Sequence, residues 1–254
     1  MSLGAEILQR LCRNPASQDY PMHGIHYEMS KALERLSVVF PDLEQQIVGK
    51  SVIDFGCGYG YQLVALARKG AQRVIGIEVD ERSLAEARAK VSEYGLQDKI
   101  EIESELRPEF QADIIVSQNS FEHFLNADEI LAQMAHCLSP GGKIYVTFAP
   151  PWYAPWGAHM AFFCRIPWVH LLFPERSVME VRALFRCDGA KTYRDAGLAR
   201  MSVSEFERIT RRSGLTPSYT QYDCVKGLGF LGHIPKAREL FINRVSAVLV
   251  RPTE

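Results

Sequence analysis

Short apolar runs alternate with amphipathic stretches through the middle of the chain. The apolar runs predict five strands, at 51–55, 73–78, 99–103, 112–117 and 143–148. Apolar residues at helical spacing predict the helices between them, at 61–69, 81–94 and 127–138. Regular strand–helix alternation requires right-handed crossovers, so the pattern predicts an α/β fold with a parallel, doubly wound, Rossmann-like sheet.

The segments outside this region divide the chain into four parts of one domain. Residues 1–48 form an N-terminal helical cap, with helices predicted at 5–13 and 27–40. Residues 49–148 are the predicted ligand-binding core, and 149–201 are a long helical and aromatic insertion after the fifth strand. The remainder, 202–254, contains a predicted helix at 202–213 and two strands at 217–225 and 243–250.

A glycine loop joins the first predicted strand to the helix that follows. Its sequence, from Asp54 to Gly60, is D-F-G-C-G-Y-G. Alternate glycines allow a sharp turn and a close approach of a ligand to the backbone. The N-terminal end of the following helix adds a positive dipole and N–H donors that have no partner within the helix. This arrangement predicts a nucleoside-binding site.

An acidic residue at the end of the second strand narrows the ligand. Glu78 follows Gly56 by about twenty residues, the separation at which a carboxylate reaches ribose hydroxyls in such folds. The loop spacing is G-x-G-x-G, and Tyr61 stands where a dinucleotide loop requires glycine. Asp54 would repel a pyrophosphate but suits an ammonium group. These features favour a nucleoside with an amino-acid tail over a dinucleotide.

The glycine loop and Glu78 together resemble a class I S-adenosylmethionine-dependent methyltransferase of the bacterial small-molecule, type 11-like branch. The segments N-S-F-E-H at 119–123 and L-S-P-G-G-K at 138–143 are similar to further motifs of that family. The resemblance implies a seven-stranded sheet with an antiparallel C-terminal hairpin and S-adenosyl-L-methionine as the cofactor. It also implies a set of cofactor-binding residues: Asp54, Gly56, Cys57, Gly58, Gly60, Glu78, Val79, Glu105, Leu106 and Asn119.

Two histidines are the candidate catalytic bases. A base is needed only if the methyl acceptor must lose a proton, because the sulfonium leaving group is already activated. His159 lies in the aromatic start of the insertion, and His123 lies in the E-H pair after the fourth strand. Each has a structural alternative, packing in the core or at the start of a helix. His/Cys/Asp/Glu residues show no metal-ligand spacing, so no metal is predicted.

The insertion is the candidate lid over the acceptor. It contains all three tryptophans and leaves from the carboxyl end of a strand, the edge at which open α/β sheets bind ligands. The alternative is a satellite core or a dimer contact. The second half of the insertion is basic. This could attract an anionic acceptor, but a solvated, charged helix face is the favoured explanation.

Composition restricts the functions further. A net charge of −1 gives no electrostatic footprint for nucleic acid. Six scattered cysteines indicate reduced thiols and a cytoplasmic protein, and no apolar run is long enough to span a membrane. The sequence thus predicts O- or N-methylation of a small molecule and leaves homo-oligomer formation open. The alternatives are a non-catalytic S-adenosylmethionine-binding protein, an RNA or protein methyltransferase, and a dehydrogenase.

Overall fold

The computed structural model describes residues 1–12, 31–235 and 237–252. One mixed sheet dominates this part of the chain, in the order β3-β2-β1-β4-β5-β7-β6. Its strands are β1 (Ser51–Phe55), β2 (Arg73–Ile77), β3 (Ile100–Glu103), β4 (Ala112–Gln118), β5 (Leu138–Phe148), β6 (Thr216–Cys224) and β7 (Ile242–Val250). The first five strands pair in parallel, and β7 runs antiparallel to both β5 and β6. The predicted fold and its antiparallel C-terminal hairpin are confirmed.

Helices lie on both faces of the sheet and in the insertion. They are α1 (Leu3–Leu11), α2 (Glu34–Val39), α3 (Leu43–Gln46), α4 (Tyr61–Arg68), α5 (Glu81–Glu93), α6 (Ala127–Cys137), α7 (Val169–Leu172), α8 (Glu175–Arg182), α9 (Val203–Arg212) and α10 (Arg238–Phe241). Short 3-10 turns occupy Phe121–His123 and Gly229–His233.

Alternate residues of the central strands supply two separate cores. Ile53 of β1 joins the core under α6 and α9, while its neighbour Val52 joins the core under α2 to α5. Both side chains are at most 1% exposed. A strand buried on both faces reads as a continuous apolar run, which explains why the strands were predictable.

Most predicted boundaries agree with the structure to within a residue or two. The fifth strand differs, because it begins at Leu138 rather than at 143. The helix predicted over 27–40 is observed as the shorter α2, while residues 27–30 lie outside the described part of the chain. Helices α3 and α10 were not predicted; each is a single turn, too short to show a helical period.

The first helix packs against the insertion rather than against the sheet. Ala5 and Leu8 of α1 are fully buried with Trp152, Phe163 and other apolar residues of the insertion. The Ser2 backbone N–H donates to the Glu180 carboxylate at 2.5 Å, which fixes α1 against α8. The insertion therefore has a core of its own, and α1 completes it.

We predict that Leu8→Ala destabilises the protein by about 2–5 kcal/mol, because it leaves a cavity in this core. Urea unfolding measures the loss, and hydrogen exchange locates it in the insertion. Leu3→Ala is the matched control, since Leu3 lies on the same helix and is 74% exposed. Equal stability of the two variants would show that α1 does not complete the insertion core.

Candidate active site

The glycine loop lies at the point where the strand order reverses, between β1 and β4, the usual ligand crevice of a doubly wound sheet. Gly56 has a φ of 83°, and a Cβ there would collide with the Ser120 hydroxyl. Gly60 has a φ of 76°, and its Cβ would lie 3.0 Å from the Cα of Ala87 in α5. Both positions require glycine, the first for contact with the β4 end and the second for contact with α5.

Asp54 holds a buried carboxyl group with one oxygen unsatisfied. The side chain is 1% exposed, and its Oδ1 accepts a hydrogen bond of 2.8 Å from the Gln62 Nε2. Oδ2 has no hydrogen-bond partner among the described residues. Burial raises the pKa of Asp54 to about 7. An unsatisfied, reluctantly ionised carboxyl is costly in the free protein, so it indicates a cationic ligand group at this position.

Glu78 ties the second strand to the glycine loop. Its Oε2 accepts from the Gly58 backbone N–H at 2.9 Å, and its Oε1 accepts from the N–H groups of Val79 and Asp80 at 2.8 and 2.9 Å. A carboxylate has about four lone-pair sites, and these three N–H groups occupy three of them. One site remains for a ribose hydroxyl, and binding of a second hydroxyl would require one N–H to leave the carboxylate. Asp80 caps the N-terminus of α5 by accepting from the Ser83 N–H.

A cavity of about 920 Å³ extends from the glycine loop to the insertion; we call it the central cavity. The loop side is lined by Asp54, Gly56, Cys57 and Gly58, and the end of β4 adds Asn119. The opposite wall comes from the Phe121–His123 turn and from the insertion, through Glu122, His123, Trp156, His159, Ala161, Phe162 and Arg186. Residues of the insertion and of the glycine loop thus line the same cavity.

The two candidate bases lie side by side in the central cavity. The rings of His123 and His159 meet edge to face with centroids 5.4 Å apart. The His123 Nδ1 is 2.8 Å from the Gly197 carbonyl oxygen, so this nitrogen is the one that carries the proton. Burial, with a smaller contribution from His123, lowers the pKa of His159 to about 4. His159 is therefore neutral at pH 7, and its buried Nε2 contacts no hydrogen-bonding group that the structure describes.

A further buried carboxyl group, Glu122, lies beside the histidines. It is 4% exposed, and its Oε1 accepts a long 3.4 Å hydrogen bond from the Ala149 N–H. Oε2 has no partner within the described ranges, and burial raises the pKa of Glu122 to about 8. Glu122 is therefore largely protonated at neutral pH and has an O–H to donate.

Some predicted cofactor residues lie away from the central cavity. Gly60, Glu78 and Val79 are not among the residues that line the cavity, and Val79 is 80% exposed. Glu105 is exposed, and Leu106 is 8% exposed within the main core. The roles of all these residues toward the nucleoside remain predictions.

Sequence comparison determines the family of the chain. A family described as "Methyltransferase domain" matches residues 22–216, which is well over half of the chain. The chain belongs to the class I S-adenosylmethionine-dependent methyltransferases. Its fold agrees, since an S-adenosylmethionine-dependent methyltransferase of Mesorhizobium loti superposes with a TM-score of 0.58 at 22% identity. That superposition covers 88% of this chain and 100% of the other.

Curated relatives of this methyltransferase act on unlike acceptors. A ribosomal protein L11 methyltransferase of Photobacterium profundum is 29% identical over 126 residues, covering 49% of this chain and 40% of the relative. A ubiquinone biosynthesis O-methyltransferase of Azoarcus is 30% identical over 137 residues, covering 52% and 54%. The chain thus spans about half, or less, of the length of these relatives.

The site fits the cofactor of this family. An S-adenosylmethionine molecule carries an ammonium group, and the unsatisfied Asp54 Oδ2 is a buried acceptor in the cavity wall. The space beside Gly58 is open, because no atom of the described residues lies within 4 Å of the position that a Cβ on this residue would occupy. Asn119 has a φ of 51° and donates its N–H to the Thr147 carbonyl at 2.7 Å, which directs the β4–α6 connection along the cavity.

The sequence did not identify several lining residues of this methyltransferase. Gln62 is the second residue of α4, directly after the glycine loop. This position in the sequence could have been used to predict a contact between Gln62 and the loop. Glu122 was named only as part of the E-H pair, and nothing in the sequence shows that one of its oxygens has no partner among the described residues. Trp156, Phe162 and Arg186 enter the cavity only through the tertiary arrangement of the insertion.

Two features are absent from the described part of the methyltransferase. Residues 1–12, 31–235 and 237–252 contain no group of three His, Cys, Asp or Glu side chains able to hold a metal ion. None of the helices in these ranges is both long and apolar enough to cross a membrane.

We predict that Asp54→Asn weakens binding of S-adenosylhomocysteine at least tenfold while stabilising the free protein at pH 8. The pKa of Asp54 is raised by folding, so native stability falls as pH rises from about 4 to about 7. The Asp54→Asn substitution removes this loss of folding stability, which is on the order of a few kcal/mol. Calorimetry measures binding, and urea unfolding at pH 8 measures stability.

Asp98→Asn is the control for Asp54→Asn, because Asp98 is exposed on the surface and its substitution removes the same formal charge. It should change neither quantity. Unaltered affinity in Asp54→Asn would contradict the assignment of Asp54 to the cofactor's ammonium group.

Proposed function

We propose that this methyltransferase transfers a methyl group from S-adenosylmethionine to an oxygen or nitrogen atom of a small molecule. The observation that carries the proposal is the central cavity, in which the glycine loop and the His123–His159 pair face each other. Its volume of about 920 Å³ lies within the range of small-ligand and cofactor sites, at its upper end. That volume suits a cofactor and a compact acceptor together.

Residues around the glycine loop would hold the methyl donor. When bound, S-adenosylmethionine supplies a methyl group on a sulfonium, a leaving group that needs no acid catalysis. Asp54 would bind the ammonium group, the backbone at Gly56 and Gly58 would allow close contact, and Glu78 would bind the ribose. Holding acceptor and methyl carbon in line and excluding water are then the main contributions of the protein to the rate.

The wall opposite the loop would handle the proton of the acceptor. The Nε2 of the neutral His159 has no hydrogen-bond partner among the described residues. It would accept a hydrogen bond from the hydroxyl or amine of the methyl acceptor, and that bond would orient the lone pair that attacks the methyl group. The low pKa of His159 makes it a weak base, so it would hold the proton only in passing and release it to solvent. Glu122, as a protonated carboxyl, would donate a hydrogen bond that fixes the polar end of the acceptor.

The insertion supports a small acceptor over a macromolecular one. Trp156, Ala161 and Phe162 form an apolar wall across the cavity, where a polypeptide or RNA acceptor would need a surface groove. The net charge of −1 also gives no electrostatic attraction for RNA. All six cysteines are free thiols in the structure, which supports a cytoplasmic location.

The proposal is tested in two stages. Calorimetry with S-adenosylhomocysteine should show binding, and a screen of phenols, catechols and amines with labelled S-adenosylmethionine should identify a methylated product by mass spectrometry. Binding without any turnover would favour the non-catalytic alternative. Labelling of ribosomal protein L11, with none of the small molecules methylated, would overturn the small-molecule assignment.

We predict that His159→Asn lowers kcat by about 10²-fold or more, the usual scale for losing an acid–base group. Asparagine is suitable because it tolerates the left-handed backbone of residue 159, whose φ is 56°. The measurement is the initial rate with the best acceptor from the screen, together with S-adenosylhomocysteine affinity, which should stay within about twofold.

His136→Asn serves as the comparison for His159→Asn, since His136 is exposed on α6 and away from the cavity. It should retain the wild-type rate. A normal rate in His159→Asn would remove His159 from the catalytic machinery.

A further inference from the structure

Helix α1 carries apolar residues on two faces. Ala5 and Leu8 are fully buried in the core of the insertion. Leu3, Ile7 and Leu11 recur every four residues, so they form one row along the helix, which we call the α1 stripe. Their side chains are 74%, 44% and 54% exposed. A surface helix normally presents polar residues to water, so the α1 stripe indicates a contact that the single chain does not make.

Two opposite charges lie along one edge of the α1 stripe. Glu6 and Arg10 are one helical turn apart, on the same side of the stripe, and both are exposed. Neither side chain has an ion-pair or hydrogen-bond partner in the described part of the chain. A negative and a positive group one turn apart match the same two groups on a second helix that runs in the opposite direction. The edge of the stripe is therefore complementary to itself.

The order of these charges selects one way to pair two copies of α1. In an antiparallel pair, the apolar side chains interleave in two registers, one centred on residue 8 and the other on residue 6. The first places Glu6 of each helix level with Arg10 of the other, whereas the second places the two Glu6 side chains level with each other. A parallel pair also brings like charges together. The charges thus favour the antiparallel register centred on residue 8.

We propose that α1 is the contact surface of a homodimer, in which the α1 stripes of two chains pack antiparallel and Glu6 of each chain pairs with Arg10 of the other. Such a contact uses the same surface on both chains, so assembly ends at the dimer. Each α1 is then packed on both faces, by its own insertion and by the second copy. One helix of 9 residues per chain makes a small interface, so the dimer is weak and the monomer prevails at low micromolar concentration. This inference does not depend on the methyltransferase function.

Sedimentation equilibrium of the full chain, from about 5 μM to about 500 μM, tests the proposal and should show a reversible monomer–dimer equilibrium. Ile7→Lys should weaken dimer formation about tenfold or more, because it places a charge in the middle of the apolar contact. Gln9→Lys is the matched control, since Gln9 is exposed on the polar face of α1 and the change adds the same charge. It should dimerise as the wild type does. Near-UV circular dichroism checks that each variant is folded.

Exchange of the two charges tests the pairing itself. Glu6→Arg and Arg10→Glu should each weaken the dimer about fivefold or more, because each change places like charges level with each other at both symmetry-related pairs. The double variant with both changes should recover the wild-type affinity to within about threefold, because it restores two opposite pairs. A role of these residues within the single chain would produce no such recovery.

The proposal is overturned if the wild type stays monomeric over the whole concentration range, or if Ile7→Lys dimerises as tightly as the wild type. It is also overturned if the double variant is folded and its dimer is no tighter than those of the single variants. Flotation with vesicles of phosphatidylglycerol and phosphatidylcholine examines the other occupant of an exposed apolar stripe. A monomeric wild type that binds these vesicles, with binding lost in Ile7→Lys, would assign the α1 stripe to a membrane surface instead.

Discussion

A buried carboxyl group with one unsatisfied oxygen, at the end of β1, is the constraint on which the site depends. Asp54 lies within the sheet, where ionisation is unfavourable, and Gln62 satisfies only one of its two oxygens. A fold optimised for stability alone would place an apolar residue or an amide there. In the function that we propose, a cationic ligand group completes the carboxyl, so the cost in the free state would become binding free energy in the complex.

The surrounding structure holds this carboxyl in one place. Gly56 lets the loop pass against Ser120 at the end of β4, and Gly60 lets it pass against α5. Glu78 joins the loop to β2 through the Gly58 N–H. The loop is thereby fixed on three sides before any ligand arrives, which reduces the entropy that binding must overcome.

The acceptor side is built differently, on a separate core. The insertion packs around Trp152 and Phe163 and is completed by α1, far away in the sequence. Its internal ion pairs hold the segment together, while His159 and Arg186 face the cavity. If the glycine loop holds the donor as we propose, an insertion with its own core would allow the acceptor side to change without disturbing the donor side.

The sheet and the position of the glycine loop were predictable because they depend on local patterns. Buried parallel strands read as apolar runs, and the spacing of Asp54, the glycines and Glu78 is set by one strand–loop–helix–strand unit. The acceptor side was less predictable, since it depends on contacts between distant segments. Nothing in the sequence distinguishes Arg186 from Arg182, although one lines the cavity and the other is buried in an ion pair. The packing of α1 on α8 likewise has no local signal.

The most direct test of the account is proton release on binding of S-adenosylhomocysteine at pH 6, measured by calorimetry in buffers of different ionisation enthalpy. With a pKa of about 7, Asp54 is mostly protonated in the free protein and must ionise to bind the ammonium group. The account predicts release of most of one proton per molecule bound, and its loss in Asp54→Asn. Binding with no proton release, or an equal release in Asp54→Asn, would contradict it.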